Sequence, residues 1–261
     1  FMDKRTVALA FVIGLIFLGS SMATVVSAAD QDLAEKFAPI LYFEAQEKCY
    51  PIDVQYALNN SYLFEIGNPT PLSTTPTKEM LANYTTENYY LDNQRGTVAV
   101  DDNGIENNYQ SLMTQLGYKV YAHVDSASTS IQYWFFYAFN GGTLNRHEGD
   151  WEMIQVMLSG GVPSQVMYSQ HYAGQSARWE QVDKEGDHVK VYVGRGSHAN
   201  YIKPYSGKLG LASDDVGDNG KIIRPGAQPG DYKVELLESQ SWLSFAGHWG
   251  WAGADDPQAT E

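Results

Sequence analysis

One cysteine stands in 261 residues. Cys49 has no partner within the chain, so no intramolecular disulfide staples the fold, and stability has to come from a core or a bound metal. Positive charge is scarce as well. Against 31 Asp and Glu there are 17 Lys and Arg, a formal charge of −14 at neutral pH. No basic stripe interrupts that acidity, which excludes nucleic acid as a partner. Long apolar runs are missing after the first 20 residues. The early run, Val7 to Leu18, follows Lys4 and Arg5 and leads to the small residues Ser27, Ala28 and Ala29. That is the pattern of a secretory leader, and the run is short for a membrane span. Residues 1–28 are therefore expected to be a signal peptide, and no transmembrane segment is expected in the mature chain. Internal repeats and low-complexity tracts are absent, which excludes solenoids and extended linkers.

What the chain has in quantity is aromatic β-former: 18 Tyr, 10 Phe and 6 Trp. Phe37–Phe43 reads as a strand. Lys119–Val124, Ile131–Phe139, Trp151–Leu158, Gln165–His171, Ala177–Val182, His188–Val193 and Tyr232–Leu237 follow at strand-like lengths, separated by Gly, Pro, Ser or Asp. Closely spaced strands without helices between them predict an all-β fold with a few short helices, an antiparallel β-sandwich or jelly roll. Helices are expected at Asp30–Lys36, after Thr77, and over Ile105–Leu116, where Gly117 sits at the C-terminal cap. Val54–Phe64 alternates loosely with a break at Asn59-Asn60. Lys208–Gln228 reads as a long loop in which Asp214, Asp215, Asp218 and Asn219 are solvated. About 230 residues suit one domain, 29–261, with a partly helical insertion near 66–117.

The chemistry concentrates in His147-Glu148-Gly149-Asp150-Trp151-Glu152. On a strand, residues two apart share a side, so Asp150 and Glu152 face one way and Trp151 the other. Glu148 is expected to face solvent. His147 lies in the turn containing Gly149, where it can fold back toward the two acids. One imidazole with two carboxylates is a start on a divalent-cation site, and the oxygen-rich set favours Mg²⁺, Ca²⁺ or Mn²⁺. The competing reading of the same spacing is a solvated acidic turn with a structural histidine. His198 follows Gly194-Arg195-Gly196-Ser197, a turn that can aim a side chain into a cleft, and His171 ends a strand. Each is a candidate for ligand contact or proton transfer, or a hydrogen-bonded structural histidine, and Arg195 is a ligand-binding candidate.

Two resemblances attach to these residues. Phe37-Ala38-Pro39-Ile40-Leu41-Tyr42-Phe43 with Glu47 and Pro51, then Tyr133–Tyr137, Gly149-Asp150-Trp151-Glu152, Gly196-Ser197-His198-Ala199 with Tyr201, and Trp249-Gly250 resemble the vacuolar protein sorting 62-related family. They do so in order through most of the mature chain. His248 stands where that pattern implies an arginine. The resemblance speaks to fold more than to activity. More distantly, the segment resembles the heptapeptide of the necrosis- and ethylene-inducing-peptide-like cytolysins, which are sandwiches. That resemblance implies a divalent cation held by His147, Asp150, Glu152 and Asn140. Asn140 stands where those proteins carry an aspartate. It also sets Tyr168–Gly174, with His171, against a histidine-bearing segment of theirs.

The leading expectation is thus a secreted β-sandwich whose cation bridges to a surface glycan or glycolipid head group, with peripheral membrane contact. The competing classes are a metal-dependent hydrolase acting on a phosphoester or glycan, with His171 or His198 moving protons, and a non-catalytic module of the cell envelope.

Overall fold

A computed structural model describes residues 27–96, 102–142, 146–170, 173–209 and 212–250. The expected leader falls almost wholly on residues outside these ranges, as do His171 and Trp251. In chain order the elements begin with α1 (Ala28–Lys36), β1 (Ile40–Phe43), α2 (Gln55–Asn60), β2 (Ser61–Glu65), α3 (Lys78–Leu81), β3 (Tyr89–Asn93) and α4 (Asp102–Leu116). There follow β4 (Tyr118–Val124), β5 (Ser130–Asn140), β6 (His147–Ser159), β7 (Val162–Gln170), β8 (Ala173–Arg178), β9 (Lys184–Glu185) and β10 (His188–Val193). The chain ends with β11 (Asn200–Tyr201), β12 (Tyr205–Leu209), β13 (Ala212–Val216), β14 (Ile222–Ile223) and β15 (Tyr232–Leu236).

The larger sheet runs β15-β4-β5-β6-β7-β8, and the smaller runs β11-β10-β1-β14 with β9 against β10. Their inner faces meet where β11 touches β6 and β7. The fold is mostly β, as expected. Two pairings depart from the antiparallel pattern: β1 runs parallel to β10, and β15 parallel to β4. Each joins strands far apart in sequence, and strand sequences do not encode that choice of neighbour.

Alternation along β5 builds the core. Tyr133, Phe135, Tyr137 and Phe139 all point inward and are fully buried, each worth roughly 1.5–3 kcal/mol of apolar transfer. The Tyr133 hydroxyl donates to Ala34 O at 2.8 Å, so its burial is satisfied and α1 is tied to the sheet. On the other face of β5 and β6, Phe136 and Trp151 pack with Trp242 and Trp249 from the C-terminal segment, ring centroids 5.0–5.7 Å apart. Trp151 therefore faces away from the acids, as the alternation predicts.

Local signals set the helices. Thr77 Oγ1 accepts from Met80 N at 3.2 Å and starts α3. Gly117, at φ +67°, closes α4 through its N–H to Met113 O. Two loop expectations need correction. Residues 55–60 form α2 rather than a strand, and the Asn59-Asn60 break is where β2 begins. Lys208–Gln228 contains most of a hairpin, β12–β13, whose Asp214 is buried rather than solvated.

Candidate functional site

Register places the acids. Tyr137 pairs with Asp150 and Phe135 with Glu152, so both carboxylates lie on the inner face of the large sheet. Because β6 begins at His147, Glu148 falls on the same alternation. It is only 3% exposed, and its Oε2 accepts from Asn93 N at 2.9 Å. The expectation that Glu148 faces solvent is thereby corrected. His147 does fold back, with Nε2 3.2 Å from Asp150 Oδ1.

The other oxygen of Asp150 meets an unexpected partner. His198 takes a left-handed backbone conformation, φ +56°, which turns its side chain into the sandwich. Its Nδ1 lies 2.6 Å from Asp150 Oδ2, and its ring stacks on Tyr137 with centroids 3.7 Å apart and planes 1° from parallel. Across the ring, Nε2 is 3.6 Å from Glu47 Oε1. Glu47 also accepts backbone N–H groups from Cys49 at 2.8 Å and Gly196 at 2.7 Å. Burial disfavours the imidazolium, but the charge of Glu47 and the hydrogen bond to Asp150 outweigh it and raise His198 to about 10. Burial likewise acts against both acids, yet His147 and His198 hold Asp150 well below the carboxylate range, and His198 lowers Glu47. The result is a charged bridge between the sheets, His147···Asp150···His198···Glu47, sealed from water. His198 is 0% exposed and held between two carboxylates, the arrangement of a hydrogen-bonded structural histidine.

The four expected metal ligands do not fit a common cation in this arrangement. Both Asp150 oxygens face imidazoles. Glu152 accepts from Ser169 Oγ and, at 3.5 Å, from Asn200 Nδ2. The Asn140 side-chain oxygen accepts from Gly142 N at 2.9 Å. Among the described residues no three His, Cys, Asp or Glu side chains converge as a metal shell. The Tyr137 hydroxyl, His198 Nε2 and Asn200 Oδ1, all buried, have no hydrogen-bond partner among the described residues. Burial pushes the Cys49 thiol well above its usual value, so it is inert.

The accessible feature lies just outside this bridge. Parallel pairing of β1 and β10 brings their C-terminal loops, 44–47 and 194–198, to one edge. Strand β13 latches the second loop from two sides. Asp214 points inward, accepting from Ser197 Oγ at 2.6 Å and from Tyr201 OH at 2.5 Å. Asp215 points outward, accepting from Arg195 Nη2 at 2.7 Å and Ser206 Oγ at 3.1 Å. Between them opens a depression lined by Glu44, Arg195, Tyr205, Ser206, Asp215 and Asn219 among others. Tyr205, 37% exposed, stacks on buried Tyr201 with centroids 5.5 Å apart and 12° between planes. Among the described residues of the expected site, Arg195 alone lines this depression. Glu44, Tyr205, Asp215 and Asn219 were not singled out as its lining, because they meet only through the parallel pairing and the hairpin.

Among solved structures, a protein named NLPPya in complex with mannosamine is similar at 15% identity and a TM-score of 0.41, covering 84% of this chain and 78% of that one. A protein described as non-toxic HaNLP3 is similar at 12% identity and a TM-score of 0.43, covering 84% and 79%. A curated relative, the Saccharomyces cerevisiae protein described as putative vacuolar protein sorting-associated protein TDA6, is 26% identical over 163 residues. That match takes in 45% of this chain and 34% of the yeast protein, so the chain spans about a third of that relative's length. The family model described as vacuolar protein sorting-associated protein 62 matches residues 19–252. With nearly the whole β-sandwich inside that match, the chain belongs to the vacuolar protein sorting-associated protein 62 family.

Proposed function

We propose that the protein is an exported binding module that takes glycan or glycolipid head groups at a cell surface, in the depression formed by the loops after β1 and β10. The observation that carries this reading is the pairing of an exposed tyrosine platform with planar hydrogen-bonding groups. Tyr205, 37% exposed, stacks on Tyr201, and Arg195, Asp215, Asn219 and Glu44 line the depression with it. A sugar has an apolar C–H face that lies against a ring and a rim of hydroxyls that each donate and accept. A shallow site with an aromatic platform and a few oriented polar groups is complementary to it. Export and peripheral surface contact follow from the leader pattern, and the acidic surface suits solubility outside the cell. Beneath the depression, the His198 bridge serves to fix the loop that carries Arg195.

The competing hydrolase reading gives proton transfer to His171 or His198. His198 is sealed inside the sandwich, so the histidine best fixed in position does not serve that role. The test is a glycan array followed by calorimetry on the best ligand. Tyr205→Ala is expected to weaken binding about tenfold or more, about 1.4 kcal/mol of lost contact. Arg195→Ala is expected to weaken it by a similar factor by releasing Asp215 and Glu44, with the melting temperature read beside binding to separate any loosening of the β13 latch. A wild-type protein that retains no glycan, or variants that bind as well as wild type, would sink the reading.

A further inference from the structure

The charge balance of the depression defines what class of glycan it takes. This step rests on the glycan-binding reading above and narrows it. Arg195 supplies the positive charge among the lining residues, and its guanidinium is already committed to the protein. Nη2 donates to Asp215 at 2.7 Å, Nη1 donates to Gln46 Oε1 at 3.0 Å, and Glu44 Oε2 lies 3.6 Å from Nη1. Against that one cation stand two carboxylates, Glu44 and Asp215, a local balance of +1 − 2 = −1. The whole chain adds a field of the same sign, at −14. An incoming carboxylate, sulfate or phosphate would meet two acids and a guanidinium whose Nη1 and Nη2 already donate to Gln46 and Asp215, so the anion competes with a carboxylate for that cation.

A neutral polyol meets the reverse situation. Its hydroxyls donate to the Glu44 and Asp215 carboxylates. They accept from Asn219, whose side-chain oxygen is committed to Ala45 N at 3.1 Å and whose amide N–H groups supply the donors. No charge is buried without a partner, and the aromatic platform at Tyr205 is indifferent to ligand charge. Arg195 then acts as a brace that orients the two acids rather than as an anion receptor.

We infer that the depression binds neutral polyhydroxyl glycans and rejects acidic ones, and that Asp215 and Glu44 are the residues that impose this discrimination. Asp215→Asn removes one acid and frees one fork of the guanidinium, so the variant should accept acidic sugars that the wild type refuses. Glu44→Gln tests the same balance without touching the shortest contact to Arg195, in case Asp215→Asn disturbs the β13 latch.

The experiment uses an array of neutral oligosaccharides beside uronate- and sulfate-bearing ones of equal length, probed with wild type and both variants. Expected is retention of neutral glycans by wild type at least tenfold above the acidic set, roughly the effect of one uncompensated charge at the rim. That binding should be little changed by added salt. At least one variant should gain acidic ligands by a similar factor. Wild-type preference for acidic glycans, or two folded variants with unaltered selectivity, would overturn the inference and leave the glycan-binding reading in place. Retention of no glycan at all would remove the reading itself and the inference with it.

Discussion

His198 carries more structural consequence than any other side chain near the site. It is the shared neighbour of two buried carboxylates, and removing one partner of such a set leaves uncompensated charge inside. His198→Ala is expected to cost about 3–5 kcal/mol in urea denaturation. His198→Asn separates two causes. Asparagine tolerates the left-handed backbone at φ +56°, so it should be destabilised by the lost bridge alone and by somewhat less. If His198→Ala unfolds at the wild-type midpoint, the bridge contributes nothing. The pH dependence follows from the direction of each shift. A histidine raised to about 10 contributes stability that is fully present below its unfolded value near 6.5 and is lost as pH rises toward 10. Asp150 and Glu47 are lowered, so their contribution is present above the ordinary carboxylate range and fades in acid. Melting temperature should therefore peak between about pH 5 and 7 and decline on the alkaline side before any lysine titrates. In His198→Asn that alkaline decline should shrink to what His123, raised by its hydrogen bond to Glu238, contributes. The His147–Asp150 end of the bridge was legible in the hexapeptide. Glu47 at the other end was not, because it lies about 100 residues away in a turn that reads as ordinary loop.

At the scale of elements, the junction between β6 and the C-terminal segment is a tight backbone contact. Gly149 sits at φ +63°, and a Cβ there would lie 2.0 Å from the Trp249 carbonyl oxygen. Gly117, at φ +67°, has open space where its Cβ would be. The two positions share a backbone cost of roughly 1–2 kcal/mol for an L side chain, and they differ only in the clash. Gly117→Ala should therefore lose about 1 kcal/mol, and Gly149→Ala at least twice that. Equal losses in chemical denaturation would show that the Trp249 contact yields without penalty. The tryptophan cluster would report the same event, since parting of Trp249 from Trp151 should alter near-UV dichroism in Gly149→Ala only. The strand β6 and its neighbour β5 were legible from aromatic alternation, and α3 and α4 from Thr77 and Gly117. The β12–β13 hairpin was not, because its Gly and Asp content carries the signature of a loop, and it is ordered by Arg195 and Ser197 reaching across from another turn.

For the molecule as a whole, the sharpest test concerns cations. A divalent ion held at 100 times its dissociation constant would add about 2.7 kcal/mol of stability, or roughly 5–10 °C in melting temperature for a domain of this size. Since both oxygens of Asp150 face imidazoles and Glu152 is bonded to Ser169 and Asn200, EDTA is expected to leave the melting temperature unchanged. Added Ca²⁺, Mg²⁺ or Mn²⁺ is expected to do the same. A chelator-induced drop of several degrees, reversed by one of these ions, would reinstate a cation among His147, Asp150, Glu152 and Asn140. Among the described residues no helix is long and apolar enough to cross a membrane.

The sequence determined the parts whose cause is local. Alternation of apolar residues, aromatic above all in β5, makes β4 to β7, a threonine and a glycine bound two helices, and residues two apart put Asp150 and Glu152 on one face with Trp151 opposite. Tertiary structure decided everything that depends on which strands become neighbours. Parallel pairing of β1 with β10 is set by the shape of the packed sandwich rather than by either strand's own pattern. It draws the loop bearing Glu47 and the loop bearing His198 together, and with them Glu44 and Arg195. The same histidine that reads as an exposed turn residue becomes the buried charge between two sheets. The depression beside it exists only because two chain segments about 150 residues apart end at the same edge.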